Sequence, residues 1–272
     1  MTPGPRAKVA IVTGGGRGLG RAMALGLARS GFRVAITAAR MLDEIEAVAS
    51  EAPSGQIYPA VADVSSGSAC AKLVEEVEAR LGSVDVLVNN AGRGMRYVSE
   101  RFLCEPTRFW ETDPEAWQMV IGADVNGPFF MSRAAVPGMI ARGWGRIINI
   151  SMNHETMRRR GFSPYGPSKA ALESETIIWA QDLAGTGVTV NALLPGGASL
   201  TGMIPNEVPQ ELREKLISPE IMVPPLLWLL SDAADDVSGK RFNASLWNTT
   251  LAPNDAATQA SDVPLCAIAR VQ

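Results

Sequence analysis

Apolar runs of strand length alternate with helix-length segments through most of this chain, and that alternation limits its fold more than any other feature. Residues 9–12, 33–37, 56–61, 84–88, 146–150, 188–193 and 241–246 read as strands. Residues 21–30, 43–51, 68–81, 114–142, 168–183 and 222–230 read as helices. Gly31 ends the first helix, and a bend is expected near Gly127-Pro128 in the fourth. Most strand runs are apolar on both faces, so both faces of the sheet need a cover. Strands joined through helices by right-handed crossovers give an α/β fold, a doubly wound parallel sheet in three αβα layers. No repeat or linker divides the chain. One folded unit is expected over residues 1–249, followed by an irregular C-terminal extension over residues 250–272 that carries Pro253 and Pro264.

Composition then removes several classes of function. A hydrophobic share of 46% suits a folded chain with a sizeable core. A net charge of −3 lacks the basic excess that nucleic acid demands, so no nucleic-acid partner is expected. No apolar run approaches the ~18 residues of a membrane span, so no membrane partner is expected. The Pro/Gly-rich start, residues 1–8, lacks the layout of a secretory signal. Cys70, Cys104 and Cys266 are odd in number and far apart, which points to neither a disulfide framework nor a metal site. The expected compartment is a reducing cytoplasm, where Asn243-Ala-Ser and Asn248-Thr-Thr are chance matches to glycosylation acceptors.

The first strand runs into Thr13-Gly-Gly-Gly-Arg-Gly-Leu-Gly20 and then a helix. Glycines permit a sharp turn and close approach of the backbone to a pyrophosphate. The helix start adds unpaired N–H groups and the positive end of a dipole. Strand, glycine turn and helix in that order form the context that gives such a turn meaning.

Three motifs now stand in order: Thr13-Gly14-x-x-x-Gly18-x-Gly20, Asn89-Asn90-Ala91-Gly92 after the fourth strand, and Tyr165-x-x-x-Lys169. Together they resemble the single-domain branch of the short-chain dehydrogenase/reductase family over roughly residues 7–248. The resemblance implies a Rossmann-type fold. It also implies hydride transfer between a nicotinamide dinucleotide and a small-molecule carbonyl or alcohol, in a homodimer or homotetramer. The cofactor residues implied are Gly14, Gly16, Arg17, Gly18, Leu19 and Gly20 at the phosphates, with Asp63 and Val64 at the adenine. Asn90, Ala91 and Gly92 lie along the cofactor, Pro195 and Gly196 lie at the nicotinamide, and Thr201 meets the nicotinamide carboxamide or the pyrophosphate. Residues 195–203 are expected to begin a mobile lid. After the second strand come Ala38, Ala39 and Arg40, so no acid is expected to hold a ribose 2′-hydroxyl. Arg40 and Arg17 suit a 2′-phosphate, which favours NADP with NAD as the alternative, although Arg40 sits one position later than the family's basic residue.

Tyr165 and Lys169, four apart at a helix start, share one face. The ammonium is expected to draw the phenol down toward neutrality, so that Tyr165 exchanges a proton with the substrate oxygen. By resemblance, Lys169 also holds the nicotinamide ribose. Two positions depart from the family pattern. The family's serine, thirteen residues before the tyrosine, is replaced by Met152, which cannot donate a hydrogen bond. Ser151 or Asn153 could stand in, and strand alternation favours Asn153. The family's helical asparagine, seven residues after Trp117, is replaced by Asp124, while Asn126 falls on the opposite side of the helix. Two readings stay open: an active enzyme, or a low-turnover dinucleotide-binding protein acting as a sensor or assembly partner. Arg93, Arg96, Tyr97, Arg101, Phe102, Arg108, Phe109 and Trp110 lie in an extended connection, and Arg158 to Arg160 form a second basic run. These arginines either anchor an anionic substrate group or form a solvated rim or subunit contact. The sole histidine, His154, either lines the pocket or is a polar loop residue.

Overall fold

The structure, a computed structural model, describes residues 6–199, 210–214 and 216–262. Among them, seven strands form one all-parallel sheet: β1 (Val9–Val12), β2 (Arg33–Ala38), β3 (Ile57–Val61), β4 (Val84–Asn89), β5 (Gly145–Ile150), β6 (Val188–Leu194) and β7 (Arg241–Asn243). Their spatial order is β3-β2-β1-β4-β5-β6-β7. The chain walks outward from β1 to β3, then returns to the other side of β1. That reversal opens a crevice at the carboxyl ends of β1 and β4, the standard ligand position in such sheets.

Helices cover both faces: α1 (Gly18–Arg29), α2 (Leu42–Glu51), α3 (Gly67–Leu81), α4 (Pro114–Ile121), α5 (Gly127–Arg142), α6 (His154–Met157), α7 (Tyr165–Asp182), α8 (Gln210–Arg213), α9 (Val223–Leu229) and α10 (Pro253–Ala260). Alternation along the strands sorts the core into two layers. Ala10, Val12, Ile36, Val88 and Ile148 pack with Met23, Leu27 and Leu226 on one face. Val9, Ile11, Leu87, Ile147 and Val190 pack with Leu73, Val77, Met131 and Met139 on the other.

Four expectations are corrected. The long helix over 114–142 runs without a gap through a π-turn at Gly122–Asn126, so its irregularity falls a turn ahead of the expected bend. The wider π-turn sets Asp124 fully inside, while Asn126 stays exposed. The helix expected from 168 begins at Tyr165, because Pro167 sits in the first turn, where its missing N–H has no helical partner to lose. The last strand is cut short where the Asn243 side chain accepts from the Ser245 N–H at 3.0 Å and turns the chain. The extension beyond residue 249 is not irregular throughout. α10 buries Ala256, Ala257 and Ala260, Ser261 bridges to Phe242, and Asp262 pairs with Arg241.

Candidate active site

One crevice of about 940 Å³ runs across the sheet ends, lined by the glycine turn at one end and by Tyr165 and Lys169 at the other. The glycine turn is tied to the strand beside it. Thr13 Oγ1 accepts from the N–H groups of Asn90 and Ala91, each at 3.0 Å. The Asn90 amide donates to the carbonyls of Thr13 and Gly14, at 2.8 and 3.1 Å. Asn90 therefore braces the turn with the amide that the motif suggested for the cofactor. Gly14 and Gly18 take left-handed φ values of 66° and 54°. A Cβ built on Gly20 would overlap the Gly14 carbonyl. α1 starts with Arg17 as an extended N-cap, has no side-chain cap and carries no acid in its first turn. Its first N–H groups therefore lack side-chain acceptors and suit an anion. Gly14, Gly16, Arg17, Gly18, Leu19 and Gly20 all line the crevice. Glycine cradle and helix end together fit a pyrophosphate.

Ala38, Ala39, Arg40, Asp63 and Val64 line the same end, as expected. Asp63 accepts from the Ser65 N–H and hydroxyl and lies 3.6 Å from Arg93. Ala38, Ala39 and Arg40 bring no acid to the end of β2, but a carboxylate from another element comes close. Glu44, on α2, lines the crevice and reaches Arg17 at 3.7 Å. α2 folds it back over the glycine turn, where a Cβ on Gly16 would stand 3.4 Å from its carboxylate.

At the other end, Lys169 is buried and donates to the Ile150 carbonyl at 3.1 Å. Asp124 lies 3.5 Å from the same ammonium and accepts from the Arg93 N–H at 2.6 Å. Burial pushes the Asp124 carboxyl up, against the pull of Lys169. Gly92 backs onto this carboxylate, where a Cβ would stand 3.1 Å from it and press the side chain aside by a few tenths of an ångström. Ala91 and Gly92 also line the crevice. The Lys169 ammonium is 5.8 Å from the Tyr165 ring centre. The expected lowering of Tyr165 is reversed in the protein alone. Burial, and then the charge of Asp124, drive its hydroxyl well above the ordinary tyrosine value.

β5 ends at Ile150, so strand alternation does not govern the three residues after it. Met152 and Tyr165 both pack against the cluster of Met95, Phe102 and Phe162. The Ser151 hydroxyl donates to Glu173 at 2.5 Å. Asn153 caps α6 by accepting from the Thr156 N–H at 2.8 Å, and its amide reaches the Gly196 carbonyl at 3.4 Å. All three residues line the crevice. His154 opens α6, not a loop, and meets Glu173 at 2.8 Å, outside the crevice. Pro195 lines the crevice, whereas Gly196 forms a left-handed turn packed on Asn243 and Ser245. Thr201 and the rest of the expected lid after Ser199 lie outside the described residues.

Sequence reasoning missed the network around Glu173. Besides Ser151 and His154, Glu173 meets the Arg241 guanidinium at 2.7 Å, and Arg241 also donates to the Met152 carbonyl at 2.7 Å. The signal was present in part. Residues 165, 169 and 173 repeat every four and share a helix face. Arg241 and Asp262, far along the chain, offered none. Among the described residues, no group of three or more His, Cys, Asp or Glu side chains could hold a metal, and no helix is long and apolar enough to cross a membrane.

Comparisons with known proteins agree with this geometry. The family model for short chain dehydrogenase matches residues 8–212. An acetoacetyl-CoA reductase of Rhizobium meliloti is 36% identical over 247 residues, covering 88% of this chain and 97% of the relative. A D-beta-hydroxybutyrate dehydrogenase of the same organism is 32% identical, covering 79% of this chain and 81% of the relative. The crystal structure of 3-ketoacyl-(acyl-carrier-protein) reductase from Brucella melitensis, complexed with NADH, superposes with a TM-score of 0.76. It is 28% identical and covers 87% of this chain and 96% of that one. The chain belongs to the short chain dehydrogenase family and is a nicotinamide-dependent oxidoreductase.

Proposed function

We propose that the protein reduces a small-molecule ketone, or oxidises the matching secondary alcohol, with Tyr165 as the group that exchanges the proton. The observation that carries this reading is the buried Lys169–Asp124 pair, which shares one crevice with Tyr165 and the glycine turn. A bound nicotinamide supplies or accepts the hydride. The residues assigned to it are Gly14, Gly16, Arg17, Gly18, Leu19 and Gly20 at the phosphates, Asp63 and Val64 at the adenine, and Asn90, Ala91, Gly92, Pro195, Gly196 and Thr201 along the rest. Arg40 and Arg17 support NADP, and Glu44 opposes it by engaging Arg17.

Tyr165 donates its hydroxyl proton to the carbonyl oxygen in reduction and takes the alcohol proton in oxidation. Lys169 holds positive charge beneath that oxygen and reaches for the ribose. Asp124 fixes Lys169 and the Arg93 backbone. A second donor to the carbonyl oxygen comes from Asn153, whose long bond to Gly196 is easily exchanged, because Ser151 is engaged by Glu173. These residues belong to one folded unit, onto which α10 packs. A second copy of the chain is assigned to the exposed apolar residues Phe129, Ile140, Ile177 and Ile178 on α5 and α7, giving a homodimer or homotetramer. Sedimentation measures that state. Cys70 and Cys104 are free, which suits a reducing cytoplasm.

The experiment titrates NADPH and NADH by fluorescence and then follows absorbance with a panel of ketones. Tyr165→Phe is expected to lower turnover by ~10²-fold or more without loss of cofactor binding. Unchanged turnover would remove Tyr165 from the chemistry. Met152 and the raised Tyr165 hydroxyl favour a second reading, a dinucleotide-binding protein of low turnover. Tight NADPH binding with no oxidation across the panel would select it.

A further inference from the structure

Beside the crevice lies a second pocket of about 750 Å³. It is formed where the connection before α4 meets the segment between α6 and α7. Arg108, Phe109 and Trp110 come from the first, and Arg158, Arg159 and Arg160 from the second. Arg159 and Phe162 line both cavities, so the pocket adjoins the site of chemistry at these two residues. Among the described residues, no carboxylate forms an ion pair with any of these four arginines. Other surface arginines here do find one, including Arg21, Arg101 and Arg142. Phe109 and Trp110 stand edge to face, 5.1 Å apart, and remain 69% and 64% exposed. Large rings that open to water beside a pocket are unfavourable unless a ligand covers them. His154 and Glu173 close the inner wall but satisfy each other.

We propose that this pocket receives the distal end of an extended substrate, a multiply phosphorylated group bearing a planar ring, while the reacting carbonyl sits by Tyr165. Four guanidinium groups without a carboxylate partner, two of them over the rings of Trp110 and Phe162, exceed what a single carboxylate would neutralise, and they suit the bidentate geometry of phosphate oxygens. Trp110 and Phe109 offer faces on which a heteroaromatic base stacks. A thioester with a nucleotide tail has this chemistry. The assignment rests on the carbonyl-reducing reading and deepens it.

The test compares acetoacetyl-coenzyme A with the N-acetylcysteamine thioester of the same acyl group, at saturating NADPH. The two share the reacting carbonyl and differ in the phosphorylated, ring-bearing tail. The full thioester is expected to show a KM about tenfold or more lower, with similar kcat. The double variant Arg158→Ala/Arg160→Ala should collapse that KM ratio toward one, as should raised salt. The double control Lys72→Ala/Arg80→Ala, which removes the same charge from the exposed surface of α3, should leave the ratio in place. Equal KM values for the two thioesters in the unaltered protein, or a ratio indifferent to the double variant, would overturn the proposal. In parallel, coenzyme A is titrated into the NADPH-loaded protein and followed by tryptophan fluorescence, with Trp110→Phe as the reporter control. Saturable quenching lost in Trp110→Phe supports the pocket, and no binding at millimolar coenzyme A overturns it. If neither thioester turns over, the functional reading fails, and this titration still judges the pocket by itself.

Discussion

At the cofactor end of the crevice, shape comes from the main chain: glycines in left-handed turns, a helix start without a cap, and Asn90 stitching two backbone segments together. At the reaction end, shape comes from buried side chains: Lys169 against Asp124, and Ser151, His154 and Arg241 around Glu173. Backbone geometry is set by local residue type and survives changes nearby. A buried charge network depends on each partner, since removing one leaves the other desolvated and alone. The two ends should therefore fail in different ways.

The largest effect is expected from Lys169→Met. It strands the fully buried Asp124, and denaturant unfolding should show a loss of about 3–5 kcal/mol at neutral pH. The sign of its pH dependence follows from burial. Asp124 already holds its proton more tightly in the folded chain than in the unfolded one, and without the ammonium it holds it more tightly still. Its protonated form keeps its stability at low pH and loses it as pH rises, so the defect should shrink toward acid. A defect that stays constant with pH would mean that Asp124 is not the stranded group.

Gly20→Ala probes the opposite end. Its methyl would overlap the Gly14 carbonyl, so the turn must open, at a cost of about 1–3 kcal/mol. NADPH affinity should fall with it, while Tyr165 keeps its surroundings. Equal affinity by fluorescence titration would show that the turn does not carry the cofactor.

Asp124→Asn should preserve the fold better than Lys169→Met and act on the proton instead. Removing the carboxylate charge lowers the Tyr165 hydroxyl from its raised position, although burial still holds it up. Alcohol oxidation needs the phenolate, so its pH–rate profile should move to lower pH. Movement to higher pH would contradict the electrostatic account.

The smallest effect is expected from Glu44→Gln, which frees Arg17 at a partly exposed pair. The preference for NADPH over NADH, as a ratio of kcat/KM, should rise only about threefold. A fall would show that Glu44 helps a 2′-phosphate instead of competing with it.

Much of the glycine-turn end was legible in the sequence, because Gly14 and Gly18 permit left-handed turns and Gly20 a close approach wherever they stand. The reaction end was legible only in outline. Spacing along a helix put Tyr165 beside Lys169, but alternation could not place Ser151 and Asn153, since β5 stops at Ile150 and both side chains find partners in other elements. Glu44 escaped notice because its approach to Arg17 depends on how α2 returns over the glycine turn. The direction of the Tyr165 shift also escaped, because a cation four residues away is visible in sequence and the depth of burial is not.

By itself the sequence determined the period-two strands, the parallel sheet that their two apolar faces require, and the glycine turn. These follow from residue type and near neighbours along the chain. Tertiary structure alone decided which charges meet, which hydroxyls are engaged and where a second pocket opens. Those outcomes depend on the desolvation and proximity of groups that lie tens of residues apart, and no local rule carries that information.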